Sequence, residues 1–435
     1  MGHSRRHDAL LHLPAYGEVS AQPQGAVALK ATVLSVTHPS PAQRFVAHLL
    51  FAFLTGLVAL VGVAPSAAMA DTPLPELGDA SAVLMPPQEE ARVGADFMRQ
   101  ARRALPLVED LILQDYVDRL GARLLDINRS GNGRYHFFIV DDPQINAFAV
   151  PGGYIGLNSG VILHAKSEQE VAGVLAHEIA HIQQRHIPRL LAASRISSAA
   201  AMAGLLAGIV AAASGAGHAD AAIALSTAAY AENQLRFTRE FEQEADRLGL
   251  ELLQRAGFDP RGMPDFFEKL QSWSRLNDVD APEFLRTHPL STSRISDTRA
   301  RADAMPSPPR RNSEFADMQV RLRVLTAKNP ATIAEALRRE LEAAPSAPLR
   351  YGVAFAALQQ RRLADAQTQL RLLAQVRPNY LLDGLLQAAL DLHRRDTREA
   401  LNFFQHAVRA QPSNTLVKTL YADALIQTKE FRAAR

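Results

Sequence analysis

The sequence predicts an α+β protein: a mostly helical domain built around a small β-sheet, followed by an all-α array of helical repeats. Three observations carry this reading. Apolar residues recur at helical spacing over most of the chain. Tyr135 to Val140 reads as a buried strand, and Asn146 to Leu157 as two strands around a Gly152-Gly153 turn. Towards the C-terminus, small residues and prolines recur at intervals of 34.

Composition narrows the function. The 435 residues contain no cysteine and carry a formal net charge of +2. The chain has room for two or three domains, forms no disulfide and carries no cysteine-linked lipid. Its basic residues are scattered, which excludes the electrostatic footprint of a nucleic-acid binder.

In chain order, residues 1–44 show no periodicity. Phe45 to Val63 is nearly all apolar behind Arg44, and Ala68-Met69-Ala70 is an A-x-A cleavage pattern. Residues 1–70 are therefore expected to be an N-terminal extension and signal peptide, cleaved near Ala70, with the true start nearer Val33 or Val36. His48, Gly56 and Gly62 argue against an uncleaved anchor. Pro87 to Leu125 is helical, with Val93, Phe97, Ala101, Leu105, Ile112, Tyr116, Leu120 and Leu124 as core positions.

The next helix carries the chemistry. Ser167 and Glu170 form a capping-box pattern, and Pro188 lies about where the helix should end. Val171, Val174, Leu175, Ile179 and Ile182 supply its apolar face. On it stands His177-Glu178-Ile179-Ala180-His181. Histidines at i and i+4 share a face and can share one Zn²⁺, while Glu178 projects beside them as a base for water. A catalytic zinc needs a third protein ligand. Glu242 supplies it, in the run Glu242-Gln243-Glu244-Ala245-Asp246, which opens a helical pattern reaching about Arg255 and stopping at Gly257. Asp246 shares its face and can accept a hydrogen bond from the outer nitrogen of a ligand histidine. Ala245 and Gly249 would let the two helices approach closely. The histidine stretch alone reads equally well as a solvated helix face, and the acidic stretch alone reads better as one; the two together, about 60 residues apart, read as one site.

Ile196 to Gly217 is rich in Ala and Gly, uncharged, and contains a GxxxG at Gly204 and Gly208. A single membrane crossing would put His181 and Glu242 on opposite sides of the bilayer, and Ala221 to Ala231 is too short to return. A helical hairpin is expected, soluble or touching the membrane peripherally. A helix over Pro264 to Arg275 precedes Thr287-His288-Pro289. A Pro-rich linker covers residues 301–312 and divides the domain of residues 71–300 from the repeats of residues 313–435. In the repeats Ala354, Ala388 and Ala422 are 34 apart, as are Ala366, Ala400 and Ala434, and Pro378 and Pro412. This is the tetratricopeptide period. Residues 313–345 read as degenerate helices of the same array.

HEIAH followed by EQEAD resembles the HExxH…ExxAD signature of the HtpX-like and CAAX-prenyl-endopeptidase-like zinc metallopeptidases. Asn146-Ala147-Phe148-Ala149 with Gly152-Gly153 resembles that family's segment before the metal helix. His288-Pro289 with Arg294 resembles its downstream element. The likeness runs from roughly Pro86 to Arg299, and with the repeats it points to the family's periplasmic branch.

The resemblance implies a zincin-type endopeptidase with one Zn²⁺ per chain, held by His177, His181 and Glu242, with Glu178 as catalytic base. It implies that His288 and Arg294 are further catalytic residues that stabilise the oxyanion. In the periplasmic branch the matching histidine can instead cap the zinc and silence the enzyme; both roles stay open for His288. It also implies an edge strand at Asn146, Ala147 and Phe148 that aligns the substrate backbone. Unfolded or misassembled outer-membrane proteins are the implied substrates, the periplasm the location, and the outer-membrane assembly machinery a partner of the repeats. The alternative is a chaperone or assembly adaptor acting through its repeats, with proteolysis latent.

Overall fold

The computed structural model describes residues 85–125, 135–193, 228–276, 282–308 and 314–430. The expected signal peptide, the Ala/Gly-rich run of residues 196–217, part of the Pro-rich linker and Ala434 lie outside the described residues.

Two helices open the described chain, α1 (Pro87–Ala104) and α2 (Leu111–Leu125). Pro106 separates them, since its ring cannot continue a helix. Three strands follow: β1 (His136–Val140), β2 (Ala147–Val150) and β3 (Tyr154–Asn158). The sheet order is β1-β3-β2. β1 runs parallel to β3, with His136 opposite Tyr154, and β2 runs antiparallel to β3, with Ala147 opposite Leu157. The β2–β3 turn is made by Gly152 and Gly153 at φ 85° and 87°, conformations that L side chains resist. The order leaves β2 on the edge.

Alternation along the strands sends side chains to two cores. Phe138, Val140, Phe148 and Val150 meet Phe97 and Ala101 of α1 and Leu105 just beyond it. Phe137, Ile139, Ala147, Ile155 and Leu157 face the main core. There lies α4 (Glu168–Gln183), reached through the short α3 (Ser159–His164). Every residue of α4 from Glu170 to Ala180 is buried. It is a central helix enclosed on all sides, not an amphipathic surface helix. Leu175 and Ile179 are fully buried; each such side chain contributes about 1.5–3 kcal/mol.

Three local expectations need correction. Ser167 is the N-cap of α4, but its side chain makes no capping bond. Glu170 instead accepts from the backbone N–H of Lys166 and pairs with Lys269. The helix ends at Gln183, before Pro188. Arg185 takes the left-handed conformation at φ 51° and turns the chain into α5 (His186–Ala193), whose first turn accommodates Pro188. Glu242 does not open a helix. It lies well inside α6 (Ala228–Arg255), which ends before Gly257 at φ 68°.

α6 packs across α4 with the expected close approach: a Cβ added at Gly249 would lie 3.3 Å from the backbone N of His177. α7 (Gly262–Leu276), α8 (Glu283–Thr287) and α9 (Thr292–Ala304) close the site from the far side.

The remaining helices pair in sequence: α10 (Phe315–Leu325), α11 (Pro330–Ala343), α12 (Ala347–Gln359), α13 (Leu363–Val376), α14 (Leu381–Arg394), α15 (Thr397–Ala410) and α16 (Thr415–Gln427). α12, α14 and α16 begin 34 residues apart, and Ala354, Ala366, Ala388 and Ala400 are fully buried where helices touch. The array thus repeats, helix pair by helix pair, with the 34-residue period. It is joined to the sheet-containing part through α10. Arg321 pairs with Asp110 through two bonds of 2.9 and 2.7 Å and donates to the Tyr351 hydroxyl at 2.6 Å. The Gln319 amide donates to the carbonyls of Ile162, Leu163 and Ala165. No helix among the described residues is long and apolar enough to cross a membrane.

Candidate metal centre

The helical period places His177 and His181 one turn apart on α4, facing α6. Their Nε2 atoms are 3.0 Å apart. Glu242 enters from α6, with Oε2 3.3 Å from His177 Nε2 and Oε1 3.4 Å from His181 Nε2. His288 follows α8, its ring stacked on Phe284 at 4.6 Å. Its Nδ1 lies 3.0 Å from Glu242 Oε1 and 3.4 Å from His177 Nε2. One ligand atom from each of these four residues lies within 4.8 Å of the others. The three ligands expected from the sequence converge here with His288, for which capping the metal and assisting catalysis were both left open.

Glu178 is fully buried beside the cluster, and neither carboxylate oxygen has a hydrogen-bond partner among the described residues. The His288 ring stands beside it, with Nε2 3.5 Å from Oε1. A carboxylate left unbonded in a dry site is costly unless the site brings it a partner. Burial pushes the Glu178 carboxyl above its ordinary range, the direction that suits a proton acceptor working near neutrality.

Behind the cluster, Arg294 on α9 grips Asp246 with Nε and Nη2, each at 2.8 Å. Its Nη1 reaches Glu242 Oε2 at 2.9 Å and donates to the Pro289 carbonyl at 2.9 Å. Asp246 Oδ1 lies 3.1 Å from His177 Nδ1, the outer nitrogen, though bent away from ideal hydrogen-bond geometry. All the donor groups of Arg294 point at these partners, so it organises carboxylates from the rear of the site.

The electrostatics follow. Burial opposes a charged His177, but Asp246 and Glu242 outweigh it and raise the group to about 10. Burial pushes His181 well below its ordinary value. Burial would raise Glu242 and Asp246, yet the surrounding histidines, with Arg294 at Asp246, hold both carboxyls below their usual range. Three imidazoles and a carboxylate converging in a buried space form the donor set of a tetrahedral nitrogen- and oxygen-ligated cation. The residues fit a metal, and binding one requires the histidine protons to leave.

The edge-strand residues lie nearby. Asn146 is buried with Oδ1 unpartnered, Ala147 is fully buried, and Phe148 turns its ring into the α1 core. All three residues are turned into the protein, and the Asn146 carbonyl accepts from the backbone N–H of Asn158 at 2.9 Å.

Sequence reading missed a layer. His186 Nδ1 lies 2.9 Å from His181 Nδ1, and Glu244 Oε2 lies 3.3 Å from His186 Nε2. A histidine five residues after His181 was visible, but its approach depends on the left-handed turn at Arg185, which has no sequence signal of its own.

Comparison with known proteins agrees with this geometry. The signature of peptidase family M48 matches residues 112–302. A beta-barrel assembly-enhancing protease of Yersinia pestis is 33% identical over 366 residues, 83% of this chain and 75% of that protein. The protein of the same name from Escherichia coli (strain K12) is 32% identical over 389 residues, 87% of this chain and 78% of that protein. The mitochondrial metalloendopeptidase OMA1 of Schizosaccharomyces pombe is 31% identical over 187 residues, 41% of this chain and 50% of that protein. With the matched region enclosing the whole His177–His181–Glu242 cluster, the chain belongs to peptidase family M48 and is a metalloendopeptidase.

Proposed function

We propose that this chain is a zinc endopeptidase of the bacterial periplasm that cleaves unfolded or misassembled outer-membrane proteins during envelope quality control. The observation that carries the proposal is the buried His177, His181 and Glu242 cluster with the unpartnered Glu178 carboxylate beside it. Two nitrogens and a carboxylate oxygen suit Zn²⁺ and leave a position for the reaction. The metal, when bound, supplies Lewis acidity towards water and the scissile carbonyl. Glu178 takes the proton from the attacking water and returns one to the leaving amine. Asp246 and Arg294 hold His177 and Glu242 in register. The edge of β2, from Asn146 to Phe148, aligns an extended substrate backbone by strand addition, which restricts the site to unfolded chains. The names of the relatives support the substrate class and the envelope setting, and the cleavage pattern near Ala70 supports export. We assign residues 71–304 as the protease domain, since α9 runs to Ala304 past the expected boundary at residue 300, residues 305–312 as the linker, and residues 313–435 as the repeat domain that meets the assembly machinery.

One observation favours a second reading, an assembly adaptor whose proteolysis is latent: His288 Nδ1 stands among the ligand atoms. An imidazole there fills the position that the reaction requires. Replacing Glu178 by Gln and following outer-membrane assembly in cells separates the two. Loss of the phenotype supports the protease, and its persistence supports the adaptor.

A further inference from the structure

We propose that His186 and Glu244 form a relay that positions the metal ligand His181, a layer independent of the Asp246–Arg294 pair behind His177. The inference rests on the metal-centre reading above. His181 points Nε2 into the cluster, so Nδ1 faces outward, 2.9 Å from Nδ1 of His186. A ligating imidazole is neutral, with its lone pair on the ligating nitrogen and its proton on the other. The His181 Nδ1–H group is therefore the donor, and Nδ1 of His186 is the acceptor. That fixes the His186 tautomer: its proton sits on Nε2, directed at Glu244 Oε2 at 3.3 Å. Glu244 is anchored in turn by Arg189 Nη1 at 2.9 Å.

The relay is held rigidly. The His186 ring is buried and stacked on Phe241, centroids 4.4 Å apart and planes 12° apart. Its place at the start of α5 is set by the left-handed Arg185, whose Nε reaches Glu90 of α1 at 2.9 Å. Each histidine of the HExxH pair thus has its own orienting group: a carboxylate backed by arginine for His177, and a histidine backed by a carboxylate and arginine for His181. The neutral acceptor behind His181 adds no charge next to the metal, whereas Asp246 adds one behind His177.

The test is the zinc affinity of the full chain, measured by competition with a chromogenic chelator, together with the Co²⁺ absorption spectrum. His186→Phe keeps the stack on Phe241 and removes the acceptor. It is expected to leave the thermal midpoint of the metal-free chain unchanged, weaken zinc about 10- to 100-fold and shift the cobalt bands. His186→Asn returns an acceptor near the Nδ1 position and is expected to recover most of the affinity. Zinc affinity unchanged in His186→Phe, or no recovery in His186→Asn, would overturn the relay alone. Should His186→Phe fail to fold, Glu244→Leu, which removes the acceptor, decides: weakened zinc supports the relay and unchanged zinc overturns it. A wild-type chain that binds no zinc would overturn the metal reading and the relay with it.

Discussion

His288 places Nδ1 3.0 Å from Glu242 Oε1, inside the space shared by His177 and His181. The residue arrives from the loop after α8, a separate element from the helices that carry the other ligands. An imidazole in that position competes with water for the metal. We expect His288→Ala to raise basal cleavage of an unfolded reporter severalfold at equal metal occupancy. A fall of the order of 10²–10³, the cost of losing an oxyanion donor, would assign His288 to transition-state stabilisation instead.

Glu178 and the ligands have separable jobs. Glu178→Gln is expected to bind metal as the wild type does and to lose at least about 10²-fold in turnover, the low end for a general base. His177→Ala and Glu242→Ala are expected to lose the metal itself. Metal analysis beside single-turnover cleavage checks both; a Glu178→Gln chain without metal would contradict the assignment.

Arg294 neutralises Asp246 and Glu242 together, from one guanidinium that is almost fully buried. Removing it leaves buried carboxylates uncompensated, a loss of about 3–5 kcal/mol. Arg294→Ala should lower the thermal midpoint steeply, and Arg294→Lys should restore little, because an ammonium cannot make the forked contact. Full rescue by lysine would show that charge alone suffices.

The metal helix was legible in the sequence because its chemistry is local. An i, i+4 histidine pair and an i, i+4 acidic pair depend only on the helical period. The hairpin at Gly152-Gly153 and the 34-residue repeat were legible for the same reason. What depended on tertiary placement was not. The end of α4 was placed at Pro188, although Arg185 makes the turn, and α6 begins about four turns before Glu242. The cradle around Asp246 and the Asp110–Arg321 pair join residues 48 and 211 positions apart, beyond any local pattern.

That last pair bears on how the repeats and the protease cohere. The Arg321–Asp110 contact is buried on both sides and continues to Tyr351 in α12. Calorimetry of the full chain should therefore show one main transition. Arg321→Met should destabilise it by about 3–5 kcal/mol, because the buried Asp110 carboxylate loses its cation. Truncation after Met305 should cost more than truncation after Thr326, which keeps α10 in place. A chain ending at Met305 with undiminished stability would show that α10 is dispensable to the protease.

The central claim is that the buried cluster holds a catalytic zinc. The most direct measurement is the zinc content of the purified chain, paired with cleavage of an unfolded polypeptide before chelation, after it, and after zinc is restored. The account predicts about one zinc per chain, cleavage abolished by the chelator, and cleavage regained with zinc in the wild type and not in His177→Ala. Cleavage that survives complete removal of the metal would contradict it.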